Sequence, residues 1–449
     1  MKEIKRDKFS TKAGVIAATV GSAIGLGNIW RFPYEAGEHG GGAFLLVYVF
    51  FVVVIGVPLM CSEFVVGRAS HTNIHKAFKQ LEKPGRKWHW VAYLGIASAL
   101  MILSFYSVVA GWTMEYCFQS AAGQFASASR ADLTDFFAAF STGGFRPVVW
   151  VLLFLLCNYV ILRQGLKKGI ERISNLLTPL LFVLLIAFCV NSLTLPDAAS
   201  GLRFLFVPDF SAITPSVVLG AMGQAFFSLS LGVGTLITYS SYFDHDVKLV
   251  KSASIVAVLD TAFAVLAGII IFPALFSFGM EPEAGPKLVF EVLPAVFAQM
   301  PGGSVWATMF FFLLFVASIT STISMAEIAI SFFSEEKHMS REKATAVCIA
   351  IAMVFGTLCA LSFGPLSGAT VFGMTIFSLF DFTTANLLMP VCGIFFSIFV
   401  GWMMDDDTVT AQLTNRGTLR LGCRKAIIVV LRYVAPAAVF AVLVFNLIF

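Results

Sequence analysis

Charge is what this sequence has least of. Of 449 residues only 12% are Asp, Glu, Lys or Arg, 30 basic against 26 acidic, and there are 6 histidines. A soluble globular chain carries about 25% charged residues, so this one cannot clothe a surface in water. With 58% hydrophobic residues and a mean hydropathy of +0.87, it reads as an all-α polytopic membrane protein. The net charge of +4 is small and its basic residues sit in short segments between apolar runs, which excludes a nucleic-acid surface. The 8 cysteines fall mostly inside apolar runs without regular spacing, so neither a disulfide framework nor a metal knuckle is indicated. Histidine occurs only near the ends of those runs, and no serine, histidine and acid combination or other acid–base pair can be assembled. The chain is not read as an enzyme.

What is present is a series of apolar runs long enough to cross a bilayer: 13–37, 42–69, 89–123, 147–163, 170–191, 215–240, 251–279, 303–333, 343–363, 376–402 and 427–448. Lys2, Lys5, Arg6, Lys8 and Lys12 precede the first run, whereas the turn after it carries Glu35 and Glu38 and no basic residue. The bias of Lys and Arg toward the cytoplasmic side predicts an inner (plasma) membrane protein with a cytoplasmic N-terminus. Eleven spans then put the C-terminus outside. The basic N-terminus before an apolar run resembles a signal peptide, but the glycine-broken run continues past any cleavage point, so it is read as retained. The segment 280–302, too polar and rich in proline to cross, is expected to form a short helical hairpin over the outer vestibule.

The most unusual stretch is VGSAIGLGNIWRFP, Val20 to Pro33. Three glycines, Gly21, Gly25 and Gly27, interrupt an apolar helix at about 1 kcal/mol each relative to alanine. A break at mid-membrane frees carbonyls that can hold a cation and turns a half-helix N-terminus toward an anionic group. Packing through Gly21 and Gly25 alone explains the glycines but requires neither Asn28 nor the intramembrane Arg31. A second candidate break, GQAFFSLSLGVG at 223–234, opens the sixth run as the first break opens the first. Runs one to five (13–191) and six to ten (215–402) thus read as corresponding halves around a midplane site, with 427–448 as an extra span.

Three lookalikes carry less. His71 and His75 have the spacing of helical metal ligands, but no third ligand clusters with them in a basic loop. Asp405 to Asp407 lack the alternation and turn glycine of a calcium loop and read as a solvated turn. GEHGGGAF lacks the lysine and hydroxyl of a phosphate loop.

With GSAIGLGNIWRFP, GGGAF, FFSLSLGVG and TSTIS on the page, the chain resembles the neurotransmitter:sodium symporter family over nearly its whole length, in particular the prokaryotic amino-acid transporters. The resemblance implies the LeuT-like fold, a 5+5 inverted repeat with broken first and sixth helices; LeuT is the standard illustration of that architecture. It implies sodium as co-transported ion: one held by Ala23, Asn28, Ser228 and Asp260, a second by Gly21, Ile24, Ala317, Thr320 and Ser321. All-oxygen ligation of this kind suits a hard cation. It implies substrate contacts from Ala23, Leu26, Gly27, Tyr106, Phe227 as an aromatic lid, and Ser230, with Ile102, Val233, Ser321 and Met325 lining the side-chain pocket. Arg31 and Asp381 correspond to an outer gate, and Arg6, Ser241, Tyr242 and Glu335 to an inner one. Phe9 stands where the family has tryptophan and Glu335 where it has aspartate. Gly169 and Pro179 match an element of the fifth span that unwinds beside the second sodium. The family's usual twelfth span is missing, which leaves the oligomeric state open.

The function implied is sodium-coupled import of a small hydrophobic L-amino acid by alternating access. A same-fold carrier of another amine or osmolyte is the first alternative and a cation channel the second. Gly25 stands where amine-carrying relatives have an aspartate. Asp260 stands where an amide is common, so a fixed carboxylate takes the place of the chloride that other relatives require, while Ala264, one turn on, carries none. Transport is therefore expected to be independent of chloride.

Overall fold

The structure, a computed structural model, describes residues 9–280 and 287–448. Arg6 lies outside those residues, as do positions 281–286 of the expected outer hairpin. Among the described residues nine unbroken helices are long and apolar enough to cross a membrane: Gly42–Ser70, Trp88–Ala121, Phe145–Leu162, Leu166–Leu193, Leu249–Ser277, Gly303–Glu336, Arg341–Leu361, Ile376–Met403 and Arg424–Phe445. The first expected span is a bent pair, Lys12–Ala23 and Gly27–Glu38, meeting at 51°. The expected sixth is divided into Pro215–Ser228 and Thr235–Ser240. Ordinal names below follow this order along the chain.

Both breaks have a local cause. In the first, Ile24 leaves the helix for extended backbone (φ −69, ψ 112), and the Asn28 side chain accepts the Gly25 N–H at 3.1 Å. An amide side chain thus satisfies a donor that the helix has abandoned. In the second, Ser230, Gly232 and Gly234 all have positive φ (53°, 78° and 91°). Glycine is required at 232 on a second ground, because a Cβ there would lie 2.2 Å from the Met389 carbonyl oxygen. The freed Gly232 N–H is taken by the buried carboxylate of Glu63 at 2.8 Å.

The broken helices lie at the centre. The third and eighth spans pair along their length and are mostly buried, whereas the fifth shows Leu176, Val183 and Val190 each more than 60% exposed at seven-residue intervals. Seven residues are two helical turns, so these side chains form one outward apolar stripe, which lipid covers at no cost. Gly169 sits in a π-helical turn, Leu166–Glu171, and Pro179 inside the helix that follows, Arg172–Leu193.

Of the hairpin expected at 280–302, the described residues include one buried helix, Leu288–Ala298, packed against helix Arg130–Thr142 and the eighth span. One expectation needs correction. Asp405 to Asp407 do not form a loose turn: Asp405 caps helix Asp406–Leu413, accepting the Thr408 N–H at 3.0 Å.

Candidate functional site

Between the two breaks lies a cavity of about 390 Å³. Its wall contains Ala23, Gly27, Ile102, Tyr106, Phe227, Ser230, Val233, Ser321 and Met325, nine of the substrate positions expected from the sequence, together with Ser22, Gly25, Ser228 and Met389. The tenth, Leu26, lines the vestibule above, and its N–H donates to the Tyr106 hydroxyl at 2.8 Å. Among the described residues no charged side chain lines the cavity. Gly25 leaves no room for a larger residue, because a Cβ there would lie 2.6 Å from Ser321 Oγ and 2.8 Å from Tyr106 Oη.

Asn28, Ser228 and Asp260, three of the four residues expected around the first sodium, form one buried cluster. Asn28 Nδ2 donates to Asp260 Oδ1 at 2.8 Å and to Ser228 Oγ at 3.0 Å, and Ser228 Oγ donates to Asp260 Oδ2 at 2.6 Å. Tyr48 Oη reaches Asp260 Oδ2 at 3.3 Å. The carboxylate therefore meets three donors from three spans, the arrangement a buried anion needs. Ala23 borders the same space from the cavity wall.

The residues expected around the second sodium also meet. Ser321 Oγ donates to the Ile24 carbonyl at 3.2 Å, Thr320 Oγ1 donates to the Ala317 carbonyl at 3.0 Å, and a Cβ on Gly21 would touch Thr320 at 3.3 Å. Thr178 of the fifth span belongs here too: its hydroxyl donates to the Ala17 carbonyl at 3.2 Å and lies 3.0 Å from that same Gly21 position.

About two turns from Thr178 along the fifth span, Glu171 holds the start of the first span. Its carboxylate accepts the N–H of Ser10 at 2.9 Å, the N–H of Thr11 at 3.2 Å and the Thr11 hydroxyl at 3.4 Å, and it is 4% exposed. An anion at helix N-terminal amides is favourable, and Gly14 fits beneath it only because it has no side chain, since a Cβ would lie 2.2 Å from Glu171 Oε1.

On the side of the cavity away from Phe9, Arg31 and Asp381 both face a vestibule of about 970 Å³, with Phe227 and Tyr106 in the wall that it shares with the cavity between the breaks. They are not paired with each other. The Arg31 Nε donates instead to Glu35 Oε1 at 3.3 Å, one turn along its own helix, and the guanidinium stands 4.8 Å from the Phe227 ring centre. The partner that an intramembrane arginine requires is thus Glu35, which the sequence reading had placed in a turn.

At the opposite end Phe9 fills an aromatic box, edge-on to Tyr239 and Tyr242 at 5.9 and 6.2 Å. Tyr242 Oη donates to Glu327 Oε1 at 2.7 Å, and Arg341 binds both oxygens of Glu327 at 2.9 and 2.7 Å. Glu335 accepts the backbone and side-chain N–H of Asn73, both at 2.9 Å. The Ser241 carbonyl lies 3.1 Å from His71 Nδ1. The buried Glu327 was missed by sequence reasoning, although an acid inside an apolar span is itself the signal that would have found it. Tyr48 and Thr178 had no such signal.

Comparison with known proteins gives a consistent picture. A model of the sodium:neurotransmitter symporter family matches residues 6–133 and 140–449. An uncharacterised sodium-dependent transporter of Bacillus subtilis, YhdH, is 38% identical over 442 residues, 98% of each chain. An uncharacterised sodium-dependent transporter of Haemophilus influenzae is 37% identical over 413 residues, 90% of each. Among solved structures, that of MhsT in complex with L-phenylalanine is 41% identical and superposes with a TM-score of 0.90, covering 98% of this chain and 100% of that one.

Proposed function

We propose, from the premise that this chain belongs to the sodium:neurotransmitter symporter family, that it imports a hydrophobic L-amino acid together with sodium. The observation that carries the reading is the cavity between the two broken helices, lined by no charged side chain among the described residues and adjoining the Asn28, Ser228 and Asp260 cluster. A zwitterion needs partners for two charges and a place for one side chain. Here the amino-acid carboxylate faces the first sodium and the Gly25–Gly27 backbone, the Tyr106 hydroxyl orients it, and the side chain lies among Ile102, Val233 and Met325. Met325 repacks readily, so leucine, methionine and aromatic residues suit the pocket. The phenylalanine in the MhsT complex supports that choice.

Sodium enters this account as cargo. The first ion takes oxygen from Ala23, Asn28, Ser228 and Asp260, the second from Gly21, Ile24, Ala317, Thr320 and Ser321. For Asn28 to offer Oδ1, its amide turns over, because in this structure that oxygen accepts the Gly25 N–H and the nitrogen faces Asp260. Substrate and sodium thereby become coupled: an ion between Asn28 and Asp260 replaces the Asn28 donors, and the Gly25 amide is released toward the cavity. Asp260 supplies fixed negative charge, and the account assigns no role to chloride.

Movement is assigned to one bundle of helices against a scaffold, with repeats at 13–191 and 215–402 and the span 427–448 outside them. Phe227 is the lid, Arg31 and Asp381 close above it, and Arg6, Ser241, Tyr242 and Glu335 close below. The distribution of basic segments supports a cytoplasmic N-terminus and a C-terminus outside the plasma membrane. Equilibrium binding of the twenty amino acids with and without sodium tests the proposal. Sodium-dependent binding confined to apolar side chains is expected; a preference for glycine, glutamate or lysine contradicts it.

A further inference from the structure

At the end of the bundle marked by Phe9, the first half of the first span and the start of the seventh span enclose a cavity of about 690 Å³ away from the substrate path. Each of the two helices presents a lysine at its mouth and an isoleucine four residues further in: Lys12 and Ile16 on one, Lys251 and Ile255 on the other. Four residues advance a helix by about 6 Å along one face. The cavity is therefore cationic at its opening and apolar inside, with Lys248 adding a third ammonium at the opening. Lys12 is engaged with Asp246, Nζ to Oδ2 at 2.6 Å, and that bond holds the Asp246 carboxyl below the usual carboxylate range. Lys248 and Lys251 form no ion pair with a described residue, so an excess of two positive charges faces the opening.

We propose that this cavity binds an anionic phospholipid of the surrounding bilayer, its phosphodiester on Lys248 and Lys251 and one acyl chain along Ile16 and Ile255. A soluble anion satisfies the lysines but leaves the apolar wall unused, and a neutral lipid does the reverse; only an acidic lipid matches both ends. The site lies against the half-helix that ends in Gly21, Ser22 and Ala23, so its occupant braces the element that carries the carbonyls facing the candidate sodium sites.

The test is retention of dioleoylphosphatidylglycerol by the purified full chain, measured by native mass spectrometry against dioleoylphosphatidylcholine. One tightly held phosphatidylglycerol is expected, weakened roughly 30-fold in the double variant Lys248→Gln/Lys251→Gln and unchanged in Lys167→Gln/Lys168→Gln, which removes two lysines from the start of the fifth span. Ile255→Trp fills the apolar end while keeping every charge, and it too is expected to lose the lipid. Equal retention of the neutral lipid, retention unaffected by Lys248→Gln/Lys251→Gln, or equal loss in the Lys167 and Lys168 variant overturns the proposal. So does displacement by millimolar inorganic phosphate combined with normal retention in Ile255→Trp, which assigns the lysines to a free anion.

Discussion

Asn28 Nδ2 and Asp260 Oδ1 are 2.8 Å apart, joining the first break to the middle of the seventh span inside a fully buried cluster. Removing the charge at 260 leaves the geometry nearly intact but takes away the attraction for a cation. Hydrogen bonds and ion contacts of charged groups are worth roughly twice neutral ones. Asp260→Asn is therefore expected to raise the sodium concentration for half-maximal substrate binding about tenfold and to make binding respond to chloride. Titration of substrate binding against sodium, in chloride and in gluconate, checks both.

Gly25 is fixed by space. With a Cβ 2.6 Å from Ser321 Oγ and 2.8 Å from Tyr106 Oη, Gly25→Ala displaces two cavity hydroxyls and a larger residue occupies the substrate volume. Substrate affinity should fall at least tenfold in Gly25→Ala and vanish in Gly25→Leu, with the Leu26 to Tyr106 bond disturbed in both. Retained affinity in Gly25→Leu counts against the cavity as the binding site.

Much of this was legible in the sequence, for reasons that differ from residue to residue. Gly25, Gly27, Gly232 and Gly234 advertise the breaks because glycine in an apolar helix is costly and visible, and the family motifs then align Asn28, Ser228 and Thr320 with known positions. The LeuT-like, all-helical fold followed from the same motifs and agrees with the MhsT superposition. Tyr48 and Thr178 were hidden because single polar residues in apolar runs have no spacing to betray them, and their partners lie more than a hundred positions away. The pairing of Arg31 with Glu35 was missed for a different reason: the helix continues to Glu38, which puts the two charges one turn apart instead of leaving Glu35 in a loop.

Glu171 gives a test of how the first span is anchored. Replacing it with alanine leaves the Ser10 and Thr11 amides without their acceptor and removes an anion from a helix start, a loss of about 1–3 kcal/mol. Hydrogen exchange over residues 9–16 should accelerate in Glu171→Ala by roughly tenfold or more, while the third and eighth spans keep their protection. Unchanged exchange at the start of the first span contradicts the anchoring role.

Glu327, fully buried, and Arg341, 28% exposed, form an ion pair joining the eighth and ninth spans beside Tyr242. Removing the arginine strands a buried carboxylate, which costs about 3–5 kcal/mol. Arg341→Met should lower the melting temperature markedly and Glu327→Gln by less, and the double variant should recover part of the Arg341→Met loss. Strictly additive losses would show that the two residues act separately.

The coupling of sodium to a hydrophobic amino acid is tested most directly by uptake of labelled L-leucine or L-phenylalanine into proteoliposomes under an inward sodium gradient, with gluconate replacing chloride on both sides. Saturable uptake of one or both is expected, collapsing when sodium is replaced by potassium and unaffected by the absence of chloride. Uptake that persists without sodium, or that appears only when chloride is restored, contradicts it.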